Sequence, residues 1–88
     1  MISIWVTNYN GVEIRIEKSW LKGESLYVDG KLQDQQMNAF SSVLTGKIST
    51  LDSVKSIKAN LGGFFRVNCR LFVDNELIDM KKNKIANK

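Results

Sequence analysis

Cys69 could in principle act as a nucleophile in covalent catalysis, and it stands alone: the sequence holds one cysteine and no histidine. A thiol attacks as its thiolate, which needs a neighbouring base or cation to form near neutral pH. In the run GGFFRVNCRLFV, Cys69 alternates with Val67 and Leu71 on the apolar side, so a buried, inert thiol is expected. Asp29, Asp34, Asp52, Asp74 and Asp79 could in principle surround a hard cation, but calcium needs about six to eight oxygen ligands and their spacing matches no calcium loop. Gly62-Gly63 lacks the following helix and the Lys-Ser/Thr pair of a phosphate cradle and reads as a turn or bulge. With no histidine as base or zinc ligand, no acid, base and nucleophile assemble. The expectation is a protein that is not an enzyme and carries no metal and no cofactor.

Charge offers a second chemistry, attraction to phosphate. The formal charge is +4, yet four of the thirteen basic residues fall in the last eight positions, KKNKIANK, leaving nine to balance nine acidic residues before them. Lys81, Lys82, Lys84 and Lys88 are therefore the nucleic-acid candidates, and a solvated tail is the plainer reading of them. In the body, Arg15, Lys58, Arg66 and Arg70 interleave in sequence with Glu13, Glu17, Asp52 and Asp74, which predicts a mixed surface. No apolar run approaches the roughly 20 residues that span a bilayer. Together with the lone cysteine and an opening unlike a signal peptide, this predicts a cytoplasmic protein without membrane contact.

The elements that must position these residues read as strands. Eighty-eight residues, 43% hydrophobic, suffice for one core. The organisation predicted is a single β domain over residues 1–80 and a flexible lysine-rich tail over 81–88, dispensable for folding. ISIWV and VEIRIE alternate, with Ile2, Ile4 and Val6 on one face and Val12, Ile14 and Ile16 on another. A two-residue Asn10-Gly11 loop would set Val6 against Arg15 and Ile4 against Glu17. A three-residue loop from Tyr9 to Gly11 pairs the aliphatics and is the one predicted. DQQMNAFSSVLTGKI fits helical spacing at Met37, Phe40, Val43, Leu44 and Ile48 and strand alternation ending at Gly46; the β-rich surroundings favour the strand, over residues 39–45. In the last long run, Phe65, Val67, Cys69, Leu71 and Val73 share the core face.

One phrase occurs twice, LYVDGKLQD from Leu26 and LFVDNELID from Leu71, forty-five residues apart. Asp29-Gly30 and Asp74-Asn75 both suit the positive φ angles of a type I′ turn, so each copy predicts a tight hairpin. At the same offset Val12, Ile14 and Ile16 align with Ile57, Ala59 and Leu61, and Trp20 with Phe65. The fold class expected is all-β, a small antiparallel β-sandwich or barrel-like fold built from hairpins with an internal pseudo-repeat. Alternation turns Trp5 and Phe64 away from the apolar faces of their strands, and Tyr27 and Phe72 flank the repeated turns. These four are the candidate partner-binding residues.

From Val12 to Asp79 the order VEIRIE, LYVDGK, FSSVLTGK, IKANL, GFFRVNCRLFVDNEL resembles the β-sandwich module of the Fas apoptotic inhibitory molecule family. That family places a YVDGK-type hairpin before a strand ending in glycine and closes on an NG-type or DG-type turn, where this chain has Asp74-Asn75. The resemblance implies a non-enzymatic β-sandwich acting through protein contacts, with residues 39–45 as a strand. The function expected is a protein-interaction or self-association module, its partner another protein or a second copy; the alternative is a nucleic-acid-associated protein acting through the basic tail.

Overall fold

The computed structural model describes residues 2–19, 23–37, 42–49, 52–62, 68–78 and 81–86. These form nine strands and no helix: β1 (Ile2–Tyr9), β2 (Val12–Ser19), β3 (Gly23–Val28), β4 (Lys31–Gln36), β5 (Ser42–Ser49), β6 (Val54–Gly62), β7 (Asn68–Val73), β8 (Glu76–Ile78) and β9 (Lys81–Ala86). They assemble into a five-stranded sheet, β4-β3-β2-β1-β9, and a four-stranded sheet, β5-β6-β7-β8, antiparallel throughout. The architecture is the all-β, sandwich-like one predicted. Ile14, Ile16, Leu26 and Val28 from the first sheet and Leu44, Ile48, Ile57, Ala59, Leu61, Leu71 and Val73 from the second form one core. Alternation puts every second residue of these strands on it.

β1 corrects the predicted register. Asn10 and Gly11 take φ of 51° and 85°, closing a two-residue loop with Tyr9 opposite Val12. Val6 consequently faces Arg15, Ile4 faces Glu17, and Trp5 faces Ile16. Asn-Gly is the strongest two-residue hairpin signal there is, and here it overrides aliphatic matching. Little core is forfeited, because the register turns the indole of Trp5 inward, 4% exposed, and leaves Ile4 and Val6 half-buried on the outer face.

The repeated phrase folds as predicted, Val28 facing Lys31, Tyr27 facing Leu32, Val73 facing Glu76 and Phe72 facing Leu77. All four turn residues have positive φ, 49° and 78° in the first turn and 51° and 65° in the second. Each turn aspartate also clamps the strand beside its hairpin. Asp29 N–H donates to Glu13 O and Asp29 Oδ1 accepts Glu13 N–H, both at 2.8 Å. Asp74 does the same with Ser56, at 2.9 Å each way. Replacing either aspartate by alanine removes one strand-to-turn bond, and each variant is expected to lose about 1 kcal/mol in urea unfolding. Losses that add in the double variant would confirm two independent clamps.

These clamps correct the alignment of the two halves. Ile14 pairs with Val28 as Ile57 pairs with Val73, and Ile16 with Leu26 as Ala59 with Leu71. In β2 and β6 the matching positions are therefore two residues off the predicted alignment, Ile14 answering to Ile57. Trp20, Phe64, Phe65 and Val67 lie outside the described residues, as do 39–41 of the predicted strand 39–45. β5 runs through Gly46 to Ser49 instead of ending there. A Cβ on Gly46 would collide with Gln33 Oε1, so the glycine marks a close approach and not a strand end.

That approach belongs to a side-chain seam between the sheets. Gln33 accepts from Lys47 N–H at 2.7 Å and donates to Lys47 O at 2.9 Å. Asp34 Oδ2 accepts from Thr45 N–H at 2.9 Å, and Gln36 Nε2 donates to Val43 O at 2.8 Å. Polar side chains of β4 thus satisfy the backbone edge of β5, which would otherwise be open to another strand. At the opposite edge, residues 81–86, expected within a flexible tail, pair with β1 as β9, with a register shift between Ile4 and Trp5. An edge strand is held by backbone bonds and needs no apolar period, and lysine is a residue that native edges favour. Deleting 81–88 would strip β1 of that partner, so the tail is no longer expected to be dispensable.

Candidate functional site

The sequence-derived partner residues do not form one surface. Trp5 is in the core, which excludes it as a contact. Tyr27 and Phe72 are half-buried on the outer faces of different sheets, opposite Arg15 and Lys58 respectively. Arg15 caps the Tyr27 ring, its Cζ 5.0 Å from the centroid. Phe64 and Lys88 lie outside the described residues, and Lys81, Lys82 and Lys84 fall on β9.

The charges that look mixed in sequence are sorted in space. Arg15 shares its outer face with Glu13 and Glu17, its Nε 3.2 Å from Glu17 Oε2. The outer face of the four-stranded sheet carries Lys47, Lys58 and Arg70, all exposed. Lys47 opposes Ser56, Lys58 opposes Thr45 and Phe72, and Arg70 opposes Asn60. The three cations therefore run diagonally across β5, β6 and β7, neighbours about 7–8 Å apart by sheet geometry. No outward position described on these strands carries a carboxylate; Asp74, in the adjoining turn, has Oδ1 held by Ser56 N–H. Among the cations stand exposed apolar residues, Val43 at 43%, Val54 at 61% and Leu77 at 59%. Asn60 Oδ1 is enclosed there and accepts no hydrogen bond among the described residues.

Comparison with family models, curated proteins and solved structures finds no match for this chain.

The interior holds a second polar feature that the sequence reading missed. Lys18 and Glu24 face each other across β2 and β3 with their side chains on the core side, Nζ 2.8 Å from Oε1. Glu24 is fully buried, the Lys18 side chain is 12% exposed, and Ser3, opposite Lys18 on β1, is buried beside them. At the corresponding place in the other sheet stand Leu61 and Cys69. Among the described residues no group of three His, Cys, Asp or Glu is arranged to hold a metal ion, and no helix is long and apolar enough to cross a membrane.

Cys69 is half-buried against the core. Burial pushes its thiol from 9.0 up to about 12. Near neutral pH that suppresses the thiolate roughly a thousandfold, so a water-soluble thiol reagent is expected to label the native protein far more slowly than the urea-unfolded one. The native thiol also keeps its proton after the unfolded one has lost it. Its contribution to stability is full below pH 9.0 and is lost progressively as pH rises toward about 12. Rapid labelling at pH 7 would show an activated thiol instead.

Proposed function

We propose that this protein is a non-enzymatic protein-interaction module whose contact surface is the outer face of the four-stranded sheet, and that its partner presents an acidic surface. The observation that carries this is the sorting of charge: Lys47, Lys58 and Arg70 line up on one face, interspersed with exposed Val43, Val54 and Leu77 and half-buried Phe72. Apolar patches between cations suit a protein contact, in which burial supplies affinity and charge supplies orientation and encounter rate. A second copy docking by the same face would set these cations against themselves, which favours an unlike partner. The only thiol is held protonated, and the resemblance over Val12 to Asp79 to the Fas apoptotic inhibitory molecule family points the same way through the protein contacts it implies. A single unpaired cysteine fits a reducing compartment such as the cytoplasm.

The test reverses the face. The protein carrying Lys47→Glu, Lys58→Glu and Arg70→Glu is compared with Arg15→Glu on the other sheet in capture from extract, after circular dichroism shows that both are folded. A partner kept by Arg15→Glu, lost by the triple variant and resistant to nuclease supports the module. Capture that nuclease abolishes assigns the face to nucleic acid instead. Equal retention by both variants refutes the assignment of the surface.

A further inference from the structure

The two halves of the molecule provide an internal comparison. Val6 opposes Arg15 on the five-stranded sheet as Thr45 opposes Lys58 on the four-stranded one, and Asn8 opposes Glu13 as Lys47 opposes Ser56. Gly30 and Asn75 are the second residues of the two corresponding turns. Five matched outward positions therefore read Val, Asn, Glu, Arg, Gly on one sheet and Thr, Lys, Ser, Lys, Asn on the other. The scaffold is the same; the cation at Arg15 is kept as Lys58, and the other four positions change in chemistry.

On the five-stranded sheet the group contains an acid, Glu13, and its one cation is drawn to Glu17 and the Tyr27 ring. On the four-stranded sheet it contains no acid and two cations, and neither Lys47 nor Lys58 has a carboxylate within ion-pair distance among the described residues. Thr45, Lys47, Ser56, Lys58 and Asn75 line a shallow depression of about 480 Å³. Asp74 stands next to it with Oδ1 turned to Ser56, 2.9 Å from the N–H and 3.5 Å from Oγ, so the Ser56 hydroxyl is drawn to Asp74. The donors left to a ligand are the two ammonium groups, the Thr45 hydroxyl and the Asn75 carboxamide. Asn75 has φ 65°, a conformation that glycine adopts without strain and that Gly30 occupies in the other turn. Asparagine keeps a donor beside the depression at a position where the backbone alone would favour glycine.

We infer that this depression is an oxyanion subsite, taking a carboxylate or phosphoryl group of the partner, with Lys47 and Lys58 supplying charge and Thr45 and Asn75 directional hydrogen bonds. It rests on the reading of this face as the contact surface and deepens it. Charge-assisted hydrogen bonds from two ammonium groups and an amide are the means by which proteins hold such groups.

The test uses inorganic phosphate and acetate against the ¹⁵N-labelled full chain, with sodium chloride at matched ionic strength as reference. Saturable amide shifts confined to Thr45, Lys47, Ser56, Lys58 and Asn75 are expected. Lys58→Gln is expected to weaken phosphate binding about tenfold. Asn75→Gly is expected to weaken it severalfold while leaving the melting temperature unchanged or raised, whereas Lys31→Gln leaves binding intact. Response to phosphate alone assigns a phosphoryl group, and equal response to acetate a carboxylate; either supports the subsite. Shifts that match those of chloride, or an Asn75→Gly variant that binds phosphate like the parent, overturn it. Since no protein partner enters the titration, phosphate binding that persists in a chain whose partner capture is indifferent to Arg70→Glu would retain the subsite and reject the interaction module.

Discussion

Lys18→Met is expected to lower stability in urea unfolding by about 3–5 kcal/mol, whereas replacing an exposed lysine such as Lys31 changes it by about 0.5 kcal/mol or less. The difference lies in Glu24, whose side chain is fully buried with Lys18 Nζ at 2.8 Å. Removing the ammonium leaves a carboxylate in the core without its cation, and for a domain with a total stability of about 5–15 kcal/mol that is a large fraction. The double variant Lys18→Met, Glu24→Met is expected to lose much less than the sum of the two single ones, because the opposed positions Leu61 and Cys69 show that the scaffold accepts apolar side chains there. Simple additivity in that cycle would mean that the two groups act separately. The pair also tells the halves apart. Were β3 to take the place of β7, Glu24 would meet Leu61 and lose its ion pair with Lys18, so two hairpins written with nearly one phrase cannot be exchanged without penalty.

How far the fold is legible in sequence depends on which signal is local. Asp29-Gly30 and Asp74-Asn75 are legible because a type I′ turn needs two residues with positive φ, and Asp, Asn and Gly meet that need within four residues of chain. β1 is not legible in the same way. Its aliphatics Ile2, Ile4 and Val6 alternate as cleanly as those of β2, and only the turn at Asn10-Gly11 decides which parity faces inward. Matching aliphatic to aliphatic selects the wrong parity, because one indole at Trp5 fills the core where two smaller side chains would have stood. β9 is hidden for a related reason: the pairing that makes it a strand belongs to the backbone of β1, which leaves no periodic trace in KKNKIA.

The candidate site is legible only after registers are known. Lys47, Lys58 and Arg70 are separated by eleven and twelve residues in sequence and become neighbours through the β5-β6 and β6-β7 pairings. Glu13 and Glu17, which in sequence dilute the positive charge, belong to the other sheet. One signal was available earlier: compared with the hairpin phrase, β2 and β6 match at an offset of forty-three, and at that offset Glu13 falls on Ser56 and Arg15 on Lys58. The loss of an acid beside a retained cation is what makes the second sheet basic.

Gly23→Ala is expected to be more disruptive than alanine at Gly11 or Gly30. Gly11, Gly23 and Gly30 all have positive φ, so alanine at any of them carries a backbone penalty of about 1–2 kcal/mol. At Gly11 and Gly30 that is the whole of it, since a new Cβ meets nothing within 4 Å. At Gly23 the Cβ would collide with the Gln36 carbonyl oxygen and lie 2.9 Å from Met37 Sδ. The methionine can move, but the carbonyl belongs to β4 where it pairs with β3, so relief requires the end of that ladder to open. The next residue is Glu24, and any displacement there pulls its carboxylate from Lys18. Steric, conformational and electrostatic losses therefore fall on one site. Thermal unfolding of Gly23→Ala beside Gly30→Ala measures the excess, expected as a melting temperature lower by at least about 8 °C, which corresponds to roughly 1–2 kcal/mol in a domain of this size. Equal melting temperatures for the two variants would show that β4 yields freely at Gln36 and that the approach of β3 to β4 does not hold Glu24 in place.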